Sequence, residues 1–558
     1  MQKFFRNWFA TGEPWIWMNA AAVGISIAAI LGVLGLIGYK GFAHFWPTSV
    51  SLLTVQVADD SFSIYGELVE TEEIPMRQFV ESGGDTSLIN PEAEVVERWL
   101  LKTGNRKHNP PDFRWVVADY VSDQTTPAGL IVLERIEWGN AYGMPHALEI
   151  TSTGETITEA EAIRTELAAR VERANGLRGQ IDDLENGSLN SINYELERLR
   201  LERRGIELRG NTDQERLSEI AAEVDSLNQT YTVEEASLRE LYKELHQDDL
   251  VIKTGDGSLI TVPVAEILNQ WYPNDMNTID RTMHFISAIG NFLTEDPREA
   301  NTEGGIFPAI FGTVLMVLLM SVIVTPFGVI AAVYLREYAK QGPLVRIIRI
   351  AVNNLAGVPS IVYGVFGLGF FVYFLGGNLD RLFFPEALPA PTFGTPGLVW
   401  ASLTLALLTV PVVIVSTEEG LTRIPRSLRE GSLALGATKS ETLFKIILPM
   451  ASPAILTGVI LAVARAAGEV APLMLVGVVK LAPTLPLDGN FPYLHLERKF
   501  MHLGFHIYDV GFQSPNVEAA RPLVYATALL LVTIIVGLNL TAITLRGRLE
   551  RRYRGVES

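Results

Sequence analysis

The sequence predicts an α-helical polytopic membrane protein: six spanning helices, with an acidic α+β domain held outside the bilayer. Three observations carry that reading. Six apolar stretches approach or exceed the roughly 20 residues a helix needs to cross a hydrocarbon core of about 30 Å. Of 558 residues 48% are hydrophobic and only 19% charged, with a mean hydropathy of +0.22. The formal charge of −18 is unevenly spread, because residues 46–304 hold 48 acidic and 22 basic side chains and the remainder 15 and 23. An acidic block thus sits inside a basic, apolar protein, as expected of a chain divided between two compartments. Cysteine is absent, which excludes a disulfide framework, Cys-ligated metals and thiol nucleophiles.

The first span is Asn19–Tyr39, followed by Ile306–Tyr334, Leu355–Leu375, Leu398–Val415, Ala454–Val479 and Leu523–Leu545. Most are rich in the small residues that let membrane helices approach closely. Basic residues in the short loops set the orientation. Lys3 and Arg6 precede the first span; Arg336, Lys340, Arg346 and Arg349 follow the second. The loop after the fourth holds Arg423, Arg426, Arg429, Lys439 and Lys445, and the tail holds Arg546, Arg548, Arg551, Arg552 and Arg554. Both termini are therefore expected in the cytoplasm. This divides the chain into residues 1–45 (N-terminus and first span), 46–304 (external domain) and 305–555 (membrane domain). The first span reads as an uncleaved anchor, since Gly41-Phe42-Ala43 matches a signal-peptidase site poorly.

Within the external block, residues 46–155 read as mostly β. Leu52–Val57, Trp115–Val121 and Leu130–Trp138 are rich in β-branched and aromatic residues between turn formers. Residues 157–247 become charged and helical, with apolar positions at Ile163, Leu167 and Val171, and again at Leu217, Ile220, Val224 and Leu227. Those three- and four-residue steps mark a helical stripe. The expected object is a helical hairpin or short coiled coil, turning at Gly210-Asn211-Thr212, with a break in its first arm at Asn186-Gly187-Ser188. Asp256-Gly257 then joins two strands, Leu250–Lys253 and Leu259–Val262, as a hairpin. Such an arm suits docking of an external partner, and equally a spacer with solvated charges. No metal site stands out there.

The most informative segment is the predicted cytoplasmic loop Arg426–Pro449. Ser427-x-x-Glu430 and Thr438-x-x-Glu441 both fit the capping box. Gly436 lies between them, where a helix end favours positive φ, and Pro449 closes the second helix. Two short helices meeting at a glycine elbow are expected. Glu430, Gly436, Ile446, Leu448 and Pro449 resemble the E-A-A-x3-G-x9-I-x-L-P loop of ABC importer permeases, with Gly431 and Ser432 in place of its two alanines. That resemblance implies the type I importer permease fold and a loop that docks on a separate ATPase subunit. The chain has no G-x4-G-K-[ST] loop of its own, so ATP and magnesium would be used by that ATPase.

Gly304–Ala339, Asn353–Leu368 and Ala464–Leu473 narrow the resemblance to the permease subunits of phosphate ABC importers, over about residues 304–555. It implies a bacterial inner-membrane location, a homologous partner permease, an ATPase dimer and an external phosphate-binding protein, with no nucleic acid. Typical members have a short link where this chain has residues 46–304. Arg465 and Glu469 lie in the fifth span, where a charge is costly and marks a pathway or a partner. A guanidinium suits phosphate oxygens, and the family places an important arginine here; a structural ion pair is the alternative. His495, His502 and His506 read as ordinary loop histidines. A permease for molybdate or sulfate, and a membrane sensor with an external helical domain, are the rival functions. A sensor would need a cytoplasmic signalling domain, whereas only short loops and a tail are expected inside. No nucleophile–base constellation suggests an enzyme.

Overall fold

The computed structural model describes residues 11–57, 60–90, 93–151, 153–210, 213–514 and 517–554. Six of its helices are long and apolar enough to cross a membrane. The first, α1 (Glu13–Ala43), leads into two antiparallel sheets. The first sheet has the order β4-β3-β2-β1-β5, from Val50–Val57 (β1), Asp60–Pro75 (β2), Val95–Lys102 (β3), Phe113–Val117 (β4) and Val121–Thr125 (β5). The second runs β10-β9-β7-β6-β11, from Ile131–Arg135 (β6), Ala141–Ile150 (β7), Asp248–Lys253 (β9), Leu259–Pro263 (β10) and Ile267–Trp271 (β11); Glu155–Ile157 (β8) pairs with β7. Val50 and Tyr65 of the first sheet share a buried cluster with Leu130, Val132 and Tyr142 of the second, so the sheets pack as one body.

The expected strand Trp115–Val121 is two strands, because a single helical turn at Ala118–Tyr120 redirects the chain and buries the Tyr120 ring. The helical arm leaves after β8 and returns into β9. It consists of α2 (Ala160–Asp182), α3 (Asn190–Leu208) and the antiparallel α4 (Gln214–Leu245). Ile163, Leu167 and Val171 pack onto the second sheet, burying the stripe that their spacing marks. Leu199, Ile206 and Ile220, flanked by Leu217, Val224 and Leu227, hold the outer half together. The expected break at Asn186-Gly187-Ser188 does not occur. A wide, π-helical stretch over Asp183–Leu189 carries the helix through, absorbing the extra residue without a turn. Gly210 has a left-handed φ of 64° at the end of the arm, and Asn211 and Thr212 lie outside the described residues. The hairpin glycine, Gly257, has φ 86° between paired β9 and β10.

An amphipathic helix, α5 (Thr278–Thr294), follows, opened by a capping box in which Asn277 and Asp280 satisfy each other's backbone. The remaining spanning helices are α6 (Phe307–Val333), α8 (Ser360–Phe383), α9 (Leu398–Arg423), α11 (Lys439–Ala467) and α12 (Val517–Arg554). A surface helix, α7 (Pro343–Leu355), precedes α8. The central helix is α9, packed between α6 and α11. Small residues set the crossings: Gly328 lies against Val413, Gly420 against Ala454, and Gly458 against Val413 and Ser416.

The fifth span differs from the expected Ala454–Val479. Its helix starts at Lys439 and ends at Ala467. The apolar residues that follow, Leu473, Val476 and Val478, are buried in the bundle without extending the helix. Leu473–Val476 form a separate helical turn, and the irregular backbone around it survives at this depth because protein surrounds it and supplies its hydrogen bonds. Gly397 N–H donates to Val476, Leu398 N–H to Arg498 and Val399 N–H to Leu496, each at 2.9 Å, while Phe500 N–H donates to Gly477 at 3.2 Å.

Candidate functional site: an elbow, a charge pair and a buried outer loop

At one end of the bundle, α9 ends at Arg423 and the chain turns through α10 (Arg426–Ala434) into α11. The expected Ser427–Glu430 capping box is not formed. Pro425 occupies the N-cap with extended backbone, so Ser427 falls inside the first turn, and no side chain caps this helix. Glu430 is exposed on α10. The helix closes with a Schellman motif: Gly436 N–H donates to Leu433 at 3.0 Å and Ala437 N–H to Ser432 at 3.2 Å, with Gly436 at φ 88°. A side chain at Gly436 would meet no neighbour within 4 Å, so backbone conformation alone calls for glycine here. Beyond the elbow the second capping box is complete: Thr438 N–H donates to Glu441 Oε2 at 3.0 Å, and Glu441 N–H donates to Thr438 Oγ1 at 3.2 Å.

Three contacts make this elbow rigid. The Ser432 and Thr442 hydroxyls share a buried hydrogen bond of 2.9 Å between α10 and the start of α11. Arg429 reaches Glu337, at the end of α6, at 3.0 Å and donates to the Leu421 carbonyl at 2.7 Å. Leu443 and Ile447 pack beneath it against Val333, Leu421 and Ile424, next to Leu448. Ile446 and Pro449 are half-buried. The apex is bare: Leu435 is 91% exposed and Phe444 67%, beside exposed Leu428 and Leu433. A braced loop with an apolar tip is a surface shaped to receive another protein.

From this elbow α11 runs on to Ala467. Pro449 does not close the second helix as expected, because it follows a π-helical stretch at Leu443–Ile447 and sits in the first turn of the segment that continues. Gly458 packs against Val413 and Ser416, so Arg465, seven residues and about 10 Å further on, lies level with the middle of α9. Arg465 and Glu469 do meet, at 3.6 Å, with 32% and 21% of their side chains exposed. Their geometry differs from a pair on one helix face. Ala467 ends the helix, Gly468 caps it, and Glu469 belongs to the irregular segment that follows. The arginine therefore stands where helix and buried loop join, within electrostatic reach of Tyr363 on α8.

The three histidines belong to the segment that follows α11, between it and α12. His495 is almost fully buried and clasped by Asp488 at 3.0 Å and Glu497 at 3.1 Å; Asp488 also pairs with Arg498 at 2.6 Å. The His502 ring accepts from Gly504 N–H at 3.1 Å. Burial holds the imidazole pKa down to about 3 in His502 and about 4 in His506, so both are neutral. Among the described residues no group of three or more His, Asp or Glu is placed to hold a metal ion. The elbow's glycine and second capping box are readable from sequence. The Arg429–Glu337 brace and the His495 clasp are not, because each joins residues that only the tertiary fold brings together.

Residues 324–555, from mid-α6 past the elbow to the tail, match the family model described as binding-protein-dependent transport system inner membrane component. The phosphate transport system permease protein PstA of Mycobacterium leprae (strain TN) is 36% identical over 254 residues, covering 45% of this chain and 74% of that protein. PstA of Yersinia pestis is 34% identical over 260 residues, covering 46% and 76%. A probable PstA of Methanocaldococcus jannaschii is 31% identical over 241 residues, covering 42% and 74%. By its similarity to these relatives over the helical bundle and its elbow, the chain belongs to the permeases of binding-protein-dependent ABC importers, as a PstA-like member.

Proposed function

We propose that the chain forms the translocation path of an ATP-driven importer of inorganic phosphate, together with a homologous partner permease. In this reading the elbow faces the cytoplasm and docks on an ATPase dimer, and residues 46–304 lie outside, beside an external phosphate-binding protein. The observation that carries it is the braced elbow with its bare tip at the start of α11. A push on Gly431, Ser432 or Leu435 is passed on rather than absorbed, since the Schellman turn and the Ser432–Thr442 bond tie α10 to the start of α11. It passes into α11, a rod of about 40 Å, whose far end carries Arg465. Displacing that end shifts the guanidinium against Glu469 and the outer loop, exchanging a carboxylate partner for an incoming anion. The guanidinium fork matches phosphate oxygens, and the PstA relatives supply the substrate class.

The test is uptake by the assembled importer in proteoliposomes. Labelled phosphate should accumulate with ATP, and excess sulfate or molybdate should not compete. Glu430→Lys should leave the complex assembled but lower both uptake and transport-linked ATP hydrolysis. Uptake of sulfate or molybdate in place of phosphate would overturn the substrate, and normal uptake by Glu430→Lys would overturn the coupling role.

A further inference from the structure

A cavity of about 730 Å³ lies at the seam between the β domain and the membrane helices. Its floor is the last turn of α1 with Tyr39 and Lys40, and the first turns of α12 with Arg521 and Tyr525. One wall is α5 and the roof is the underside of the sheets, with Glu67, Lys102 and Glu134. Its depth relative to the bilayer follows from α1. A helix of 31 residues is about 46 Å long, so its last turn lies beyond a hydrocarbon core of about 30 Å, among lipid headgroups. The surroundings agree. Tyr39, Phe42 and Trp46 are exposed there, as in an interfacial aromatic belt, and α5 leaves Ile279, Met283 and Ile286 bare along one face. The opposite face of α5 is anchored, with Phe285 against Phe42 and Trp46 and Phe292 against Phe45.

The lining carries both signs of charge. Arg298 is paired with Glu134, and Arg521 with Glu70 at 3.6 Å. Glu67 accepts from the Tyr142 hydroxyl at 3.0 Å and faces Lys102 across the cavity roof. Burial works against the Lys102 ammonium, but Asp112, Glu67, Glu303 and Glu134 around it outweigh that and hold its pKa above the usual lysine value. Burial likewise raises the Glu67 and Glu303 carboxyls. A plain anion would meet Glu67, Glu134 and Glu303 here, and a plain cation would meet Lys40, Lys102 and Arg298. A headgroup bearing both charges satisfies both sets.

We propose that this cavity binds the headgroup of an ethanolamine phospholipid. Its phosphate lies on Lys40 and Lys102, its ammonium on Glu67 and Glu303, and its acyl chains run down the exposed apolar surface of α1. The ligand would seat the β domain on the membrane, and it is independent of which anion is transported. Ethanolamine is favoured over choline because an ammonium donates three hydrogen bonds, whereas a trimethylated nitrogen donates none to the two carboxylates.

The assembled complex, purified in mild detergent and loaded in nanodiscs of dioleoyl phosphatidylethanolamine, phosphatidylcholine and phosphatidylglycerol in equal parts, tests this by native mass spectrometry of the retained lipid. One ethanolamine lipid per chain should persist, at least tenfold over either competitor. Glu67→Gln should erase the preference for ethanolamine over choline. Lys40→Gln, at an exposed site where the fold tolerates change, should lower retention about tenfold, and Lys40→Arg should restore it. Equal retention of all three lipids, preferential retention of phosphatidylglycerol, or unchanged retention in both Glu67→Gln and Lys40→Gln would overturn the proposal.

Discussion

The two ends of the helical bundle solve opposite problems. At the elbow end, α10 and the start of α11 fold into a loop that satisfies its own backbone and leaves its apolar tip in the open, with Leu435 91% exposed. At the other end, the chain after Ala467 folds back into the bundle, offers its main-chain carbonyls to the N–H groups at the start of α9, and buries Leu473, Val476, Phe500 and Leu503. One end leaves apolar side chains in the open; the other is closed by its own chain. Rigidity is common to both; in the proposed reading it serves transmission at the elbow and closure at the other end.

If the outer end is internally complete, damage there should remove the protein itself. A Cβ at Gly312 would overlap the Met501 carbonyl oxygen, and neighbouring Thr313 accepts from Leu503 N–H at 2.9 Å. Gly312→Val should cost about 3 kcal/mol and be seen as loss of assembled protein in a thermal-stability assay; near-normal assembly would show that this end is looser than described. Next in size are the charges between the two ends. Arg465→Gln and Arg465→Lys should each assemble yet lower phosphate uptake by about 100-fold, since neither replaces the guanidinium fork. A Glu469→Gln, Arg465→Gln double variant that regained uptake would reduce the pair to a brace, because a lone buried charge is the costly state.

A pH ramp sharpens the comparison further. His502 and His506 are held neutral in the folded outer loop, with pKa values near 3 and 4, whereas the unfolded chain protonates both near 6.5. Stability should therefore be level above pH 6.5 and fall as pH drops toward 4, by up to about 2.7 kcal/mol per unit for the two rings together. The His502→Asn, His506→Asn double variant should flatten that slope in thermal midpoints measured at pH 7 and 5; an unchanged slope would place the sensitivity elsewhere. The smallest effect belongs to the elbow. Ser432→Ala removes one buried hydroxyl contact and should cost about 1 kcal/mol, read as reduced transport per ATP hydrolysed with the assembled amount unchanged.

The same contrast explains what could be read from sequence. The elbow obeys local rules: Gly436 is required by one φ value, and Thr438 and Glu441 are three residues apart, so spacing alone identifies them. Ser427 and Glu430 have the same spacing but form no cap, because Pro425, two residues earlier, already starts the helix. The outer end obeys tertiary rules. Leu473, Val476 and Val478 are as apolar as residues in a helix, so hydropathy extends the fifth span through them, although the helix is capped at Gly468 and ends at Ala467. Helix α5 was legible in principle, from the Asn277–Asp280 cap and the bare stripe at Ile279, Met283 and Ile286. Its charged neighbours in residues 46–304 hid that stripe.

The proposal that the elbow docks on a separate ATPase has a direct measurement, since a chain without cysteine accepts a single reporter thiol. Leu435→Cys should react rapidly with a maleimide in the isolated chain and at least tenfold more slowly once the ATPase subunits are bound. Phe512→Cys, exposed near the other end, should react at one rate throughout. Equal reactivity of Leu435→Cys with and without the ATPase would contradict the account.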